Sequence, residues 1–343
     1  MVCRRAQVRG CALTGIAVRI LLTGSAGHLG EALARTLSPL HEVVGLDRTP
    51  SPFTSVVGSI TDADVVERAA DGVDAVLHTA TLHKPHIVTH GRREFVDTNI
   101  AGSLNLLEAA AKARVRSFVY TSTTSVYGHS LSPGLEAPAA WITEDVVPLP
   151  KNIYGITKKA AEDLCELFHR KYDLPCVILR TSRFFPDEDD DAAVRSAYRD
   201  GNVKANELCY RRADIEDVVE AHLLAMARAS ELRFGRYVIS ATTPFTRSDA
   251  TRLRMDAPGV LGERVPGYER EYARRGWKMF PSIDRVYDNT LARRELGWEP
   301  RWTFDHALER LAAGAEARSS LAAKIGFKGY HAGRFPDGRY PVD

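Results

Sequence analysis

The chain has 343 residues, 44% of them hydrophobic and 26% charged, with a formal net charge of +2. That length suits one or two globular domains, and so small a charge leaves no general attraction for nucleic acid or an anionic membrane. Cys3, Cys11, Cys165, Cys176 and Cys209 are an odd set with no CxxC pair, which reads as reduced thiols of a cytoplasmic protein rather than a disulfide framework.

Residues 1–17 are basic, and the apolar run that follows is interrupted at Arg19 with no cleavage site before it. They read as a loose extension, not a signal peptide. No stretch reaches the ~18 apolar residues that a membrane span requires. Strand-like segments then fall at 18–24 (VRILLTG), 42–47 (EVVGLD), 75–80 (AVLHTA), 117–122 (SFVYTS) and 175–180 (PCVILR). Helical patterns at 28–37, 62–70, 92–113 and 152–172 separate them. This alternation predicts an α/β domain over 18–180, a Rossmann-like doubly wound parallel sheet covered on both faces.

Beyond Arg180 the rhythm weakens. The acidic run PDEDDD (186–191) reads as a solvated loop. A helix over 215–229, a strand RYVIS, and helices over 290–296 and 304–313 follow. Residues 181–318 are expected to form a smaller substrate-binding lobe, and residues 319–343 a C-terminal tail.

The first strand runs into TGSAGHLG, residues 23–30, with Gly24, Gly27 and Gly30 at GxxGxxG spacing. Glycine allows a tight strand-to-helix turn in which Ala26, Gly27, His28 and Leu29 bring backbone N–H groups to a pyrophosphate. No lysine follows the third glycine, so a P-loop is not supported. The second strand ends in Asp47, placed to accept the adenosine ribose hydroxyls, which favours NAD over NADP. Arg48 reads as a solvated charge, with phosphate binding the alternative.

Two further motifs carry chemistry. The fourth strand ends in TSTTSVYG (121–128), and YGITK (154–158) places Tyr154 and Lys158 four residues apart on one helix face. A free tyrosine has a pKa of about 10, and a nearby ammonium together with a positive nicotinamide ring would lower it toward a working base.

With TGSAGHLG, Asp47, HTAT, TNIAGSLNLLEAA, TSTTSVYG, YGITK and the late LGWEP in order, the chain resembles the extended short-chain dehydrogenase/reductase family, the NAD-dependent epimerases and dehydratases. The resemblance implies Thr123, Tyr154 and Lys158 as catalytic residues. It sets Thr79, Ala80 and Thr81 along the cofactor, with Ala80 beside the nicotinamide ribose. Ser59 stands where many members carry an adenine-contacting aspartate, leaving Ile60 as an apolar wall. Asn99 matches an asparagine that is usually structural. Dehydratases of the family carry Asp-Glu directly after the catalytic threonine; Thr124 and Ser125 stand here, which disfavours dehydration.

The substrate side departs from the family. In LRTSRFFPDEDDD, Arg183 replaces a diphosphate-binding asparagine. It serves either as an anion ligand or as a salt-bridge partner of the acidic run. His83, Lys84, Thr124 and Arg212 complete the expected substrate contacts. Trp141 is either a sugar-stacking residue or a loop anchor. His83, His86 and His90 lack a completing ligand, and Pro85 interrupts their first turn, so no metal is expected. The leading function is an NAD-dependent sugar or nucleotide-sugar epimerase of the 4-epimerase type. The alternatives are a sugar or secondary-alcohol dehydrogenase and a non-catalytic dinucleotide sensor. A homodimer through the helices at 92–113 and 152–172 is expected from the resemblance.

Overall fold

The computed structural model describes residues 17–134 and 136–329. Most of the expected N-terminal extension, and the tail from residue 330, lie outside them. The elements in chain order begin with β1 (Arg19–Thr23), α1 (His28–Leu37), β2 (Glu42–Asp47), β3 (Val56–Val57), α2 (Ala63–Ala69) and β4 (Ala75–His78). There follow α3 (Arg92–Phe95), α4 (Gly102–Ala113), β5 (Ser117–Thr123), β6 (Ala140–Ile142) and α5 (Ile153–Tyr172). Next come β7 (Cys176–Thr181), α6 (Ala192–Ala197), α7 (Asp200–Leu208), α8 (Ile215–Leu232) and β8 (Phe234–Ile239).

Seven strands form one sheet in the order β3-β2-β1-β4-β5-β7-β8, every neighbouring pair parallel. Alternate side chains feed opposite faces, the period of two that a strand imposes. Ile20, Leu22, Leu77 and Val119 enter the core under α1 and α8, while Leu21, Val76, Phe118 and Tyr120 enter the core under α2, α4 and α5. A third apolar cluster, built from α7 and residues 241–307, forms the body beside the sheet's C-terminal edge. There β6 pairs in parallel with the strand Arg285–Tyr287.

Several elements differ from the sequence reading. The helix over 92–113 is one run with a π segment at Val96–Ala101 between α3 and α4. Strand β8 and helix α8, although beyond residue 180, belong to the main sheet and its cover. The acidic run is not simply solvated. Asp189 is buried and binds Arg183 at 2.6 Å and Arg211 at 3.3 Å, because a cation from its own segment and one from beyond α7 converge on it. The start of the tail is also ordered, as the helix Ser320–Ile325.

Strand order reverses at the β1–β4 junction, so the connections on either side diverge and leave a crevice at the strands' C-terminal ends. A cavity of about 950 Å³ opens there.

Candidate active site

The glycine turn forms the first wall. Gly24 adopts φ +74°, and a Cβ on it would lie 2.8 Å from the Ala80 nitrogen. A Cβ on Gly30 would come within 1.9 Å of the Gly24 carbonyl oxygen. Only glycine permits this close approach of helix to strand end. The Asp47 carboxylate accepts the Ala26 N–H at 3.0 Å and the Thr49 N–H at 2.8 Å, which holds it at the mouth of the turn. Arg48 is exposed beside it. Ser59 bonds Thr61 at 2.8 Å, and Ile60 is buried. Thr79 donates to the Thr23 carbonyl at 2.7 Å and the Ala80 N–H to the Thr23 hydroxyl at 3.2 Å, which locks the loop after β4 against the turn.

Helix α5 forms the opposite wall. Asn152 caps it, accepting the Gly155 N–H at 3.1 Å, so Tyr154 and Lys158 lie in its first two turns and face the cavity with Thr123 and Thr124 of the β5 end. Lys158 is 2% exposed. Its ammonium donates to the Thr121 carbonyl at 2.7 Å and lies 4.1 Å from the centre of the Tyr120 ring. Burial lowers its pKa to about 7, and the Glu162 carboxylate one turn on opposes that fall. In the protein alone, the Tyr154 phenol lies above its ordinary value. Burial raises its phenol to about 12, against a lowering contribution from Thr123. Desolvation therefore outweighs the Thr123 hydrogen bond, and the expected lowering rests on the ammonium together with the positive nicotinamide ring.

Every residue expected from sequence at the cofactor or catalytic positions lines this cavity, as do His83, Lys84 and Arg183. Arg212 does not. It turns to Glu207 at 2.7 Å and to the Phe185 carbonyl at 3.0 Å. Arg183 lines the cavity but is also paired with Asp189, Asp190 and Glu207. Trp141 donates to Asp288 at 2.8 Å, within the β6 pairing. The His83 ring lies 6.1 Å from Tyr154 and 5.7 Å from Phe185, centre to centre. Among the described residues no three His, Cys, Asp or Glu side chains are grouped to hold a metal.

Asn99, expected to be structural, is so, and Glu162, Lys151, Arg211 and Lys328 are contributors that the sequence reading missed. Asn99 sits in the π segment, donates to Thr157 at 3.0 Å and to the Leu82 carbonyl at 3.0 Å, and accepts from the Leu82 N–H at 2.8 Å. It thereby ties the loop after β4 to α5. Glu162 shares a face with Tyr154 and Lys158 at i, i+4 and i+8, a signal the sequence did contain. Lys151 and Arg211 add cations to the cavity wall. Lys328, from the tail, had no local pattern to announce it.

The sequence model of the NAD dependent epimerase/dehydratase family matches residues 20–240. The chain belongs to that family. This family member is 30% identical over 337 residues to a 3 beta-hydroxysteroid dehydrogenase/Delta 5-->4-isomerase of Mycobacterium tuberculosis, the match covering 84% of this chain and 88% of that protein. It is 26% identical to a short-chain dehydrogenase/reductase superfamily protein of Agrobacterium tumefaciens solved with bound NAD, at a TM-score of 0.61, with 86% of this chain and 96% of that one covered. A UDP-glucose 4-epimerase of Thermotoga maritima, solved with UDP-glucose, shares the fold at a TM-score of 0.59 and 24% identity, over 86% and 97% of the two chains. The protein is an NAD-dependent enzyme of the extended short-chain dehydrogenase/reductase type.

Proposed function

We propose that this enzyme oxidises a secondary hydroxyl of a sugar or nucleotide-sugar and returns the hydride to the same carbon, a 4-epimerase-type reaction. The observation that carries the reading is the grouping of Thr123, Tyr154 and Lys158 in the same cavity as the glycine turn. Its remaining wall carries Lys84, Lys151, Arg183 and Arg211 beside Asp187, Glu188 and Asp190, a polar lining of both charge signs suited to a hydroxylated substrate.

The turn fits a dinucleotide. The missing side chains at Gly24 and Gly30 let backbone N–H groups approach a pyrophosphate, and Asp47 stands where an adenosine ribose would lie. NAD, when bound, supplies the hydride acceptor and donor. The protein's part is proton handling and alignment. Thr123 holds the substrate oxygen and fixes its approach to Tyr154. The Tyr154 phenolate takes the hydroxyl proton and later gives it back. Lys158 lies one turn from the phenol, and in its protonated form it stabilises the phenolate across a desolvated space. Burial disfavours both charged forms separately, so the pair works as a unit whose phenolate form needs added positive charge in the cavity.

A second reading, net oxidation of a secondary alcohol, is favoured by the identity to a hydroxysteroid dehydrogenase. A panel of nucleotide-sugars, free sugars and uronates, incubated with the enzyme and NAD, separates the two. Epimer formation without accumulated NADH supports the first; stoichiometric NADH supports the second. Turnover of no member of the panel would sink the sugar assignment. The same proposal includes a homodimer through α4 and α5, where Ile156 is 52% exposed; a monomer on size-exclusion chromatography with light scattering would contradict it.

A further inference from the structure

The family match stops at residue 240, yet residues well beyond it return to the glycine turn. The Ser319 N–H donates to Asp214 at 2.9 Å, and its hydroxyl accepts the Ala322 N–H at 2.9 Å. This starts the helix Ser320–Ile325 against the N-terminus of α8. Ile325 is buried in the same core as Leu29 and Leu33 of α1, so the helix is seated on the element that begins at the glycine turn. Gly326 follows at φ +63° and redirects the chain. The Lys328 N–H then donates to His28 Nε2 at 3.1 Å, and its Nζ donates to the Ala26 carbonyl at 2.8 Å and pairs with Glu31 at 2.5 Å. Lys328 and Gly329 line the cavity alongside Gly24, Gly27 and Gly30.

We infer that Lys328 is a pyrophosphate-binding residue of the NAD site, carried to the glycine turn by the helix Ser320–Ile325. The inference rests on NAD lying along that turn, as proposed above. A pyrophosphate at the N-terminus of α1 meets favourable N–H groups but also the Glu31 carboxylate in the helix's first turn. Lys328 and Arg35 both bind that carboxylate, Arg35 at 2.7 Å. Burial pushes the Glu31 carboxyl up, and the two cations outweigh it and hold it below its ordinary value. Lys328 therefore neutralises a carboxylate in the first turn of α1 and offers an ammonium hydrogen-bonded to the turn itself. A lysine acts on phosphate as a point charge, without needing the planar geometry of arginine.

The test is calorimetric titration of full-length protein, stripped of nucleotide, with NAD, ADP-ribose and adenosine. Lys328→Ala is expected to weaken NAD and ADP-ribose about 10-fold and to leave adenosine unchanged. The loss should shrink as salt is raised, because the contact is screened. Glu31→Gln in the Lys328→Ala background should restore part of the affinity. NAD affinity within twofold of wild type in Lys328→Ala would overturn the inference, and so would an equal loss for adenosine, which would mark a general distortion of the turn. If wild-type protein bound no NAD, the assignment of the cavity itself would fail instead.

Discussion

Glu162 and Arg180 form a buried ion pair, Nη2 to carboxylate 2.7 Å, one helical turn beyond Lys158. Neither side chain is more than 3% exposed. Ser122 donates to the same carboxylate at 2.5 Å, and Arg180 reaches on to the Tyr127 hydroxyl at 3.1 Å. The pair thus braces α5 against the ends of β5 and β7, the elements that present Tyr154 and Thr123.

Glu162→Gln should destabilise the protein by about 3–5 kcal/mol, because it leaves the guanidinium buried without its counter-charge. Changing both residues to methionine should recover much of that loss, since the desolvation cost of the pair disappears with it. Urea unfolding of the two variants checks this. A single variant as stable as wild type would show that the pair contributes nothing to holding α5.

Lys158 makes stability depend on pH in a defined direction. Its folded pKa of about 7 lies below the ordinary lysine value of 10.5, so between those values the unfolded chain holds a proton that the folded one has released. Stability contributed at this site is therefore lowest below about pH 7 and rises with pH. From about pH 10 Tyr154 reverses the trend, because the folded phenol keeps its proton up to about 12. Lys158→Met should flatten the rise between pH ~7 and ~10. Unfolding midpoints of nucleotide-free protein across that window decide the matter; parallel curves for the two proteins would refute it.

Tyr154→Phe should reduce turnover by about 100- to 10,000-fold while NAD binds within a few-fold of wild type. Rate measurements on the best substrate, paired with an NAD titration, test both halves. Full activity in this variant would remove the phenol from the chemistry and revive a dinucleotide-sensing role.

Asp47→Ala should weaken NAD about 10- to 100-fold, the range for losing charge-assisted hydrogen bonds. NADP should lose less, because the removed carboxylate would have repelled its extra phosphate. Comparative titration reads the ratio directly, and an equal loss for both nucleotides would mean Asp47 acts only by holding the Ala26 N–H.

Much of the fold and site was legible in the chain. α1 and α5 stand where their apolar spacing places them, and the strands of the sheet's centre follow their apolar runs. These are local features, set by backbone sterics and by side-chain periodicity over a few residues. The position of β8 was harder. RYVIS reads as a strand, but its partner β7 lies across α8, and local pattern does not name a partner.

The sequence by itself determined the alternating α/β order, the glycine turn and the shared helix face of Tyr154 and Lys158, because each depends on near neighbours in the chain. Tertiary structure alone decided that burial pushes the Tyr154 phenol up, that Glu162 meets Arg180, that Arg212 turns to Glu207 rather than to the cavity, and that Lys328 reaches Ala26. Burial and charge pairing are set by which distant segments come together, and that information appears only once the chain has closed on itself.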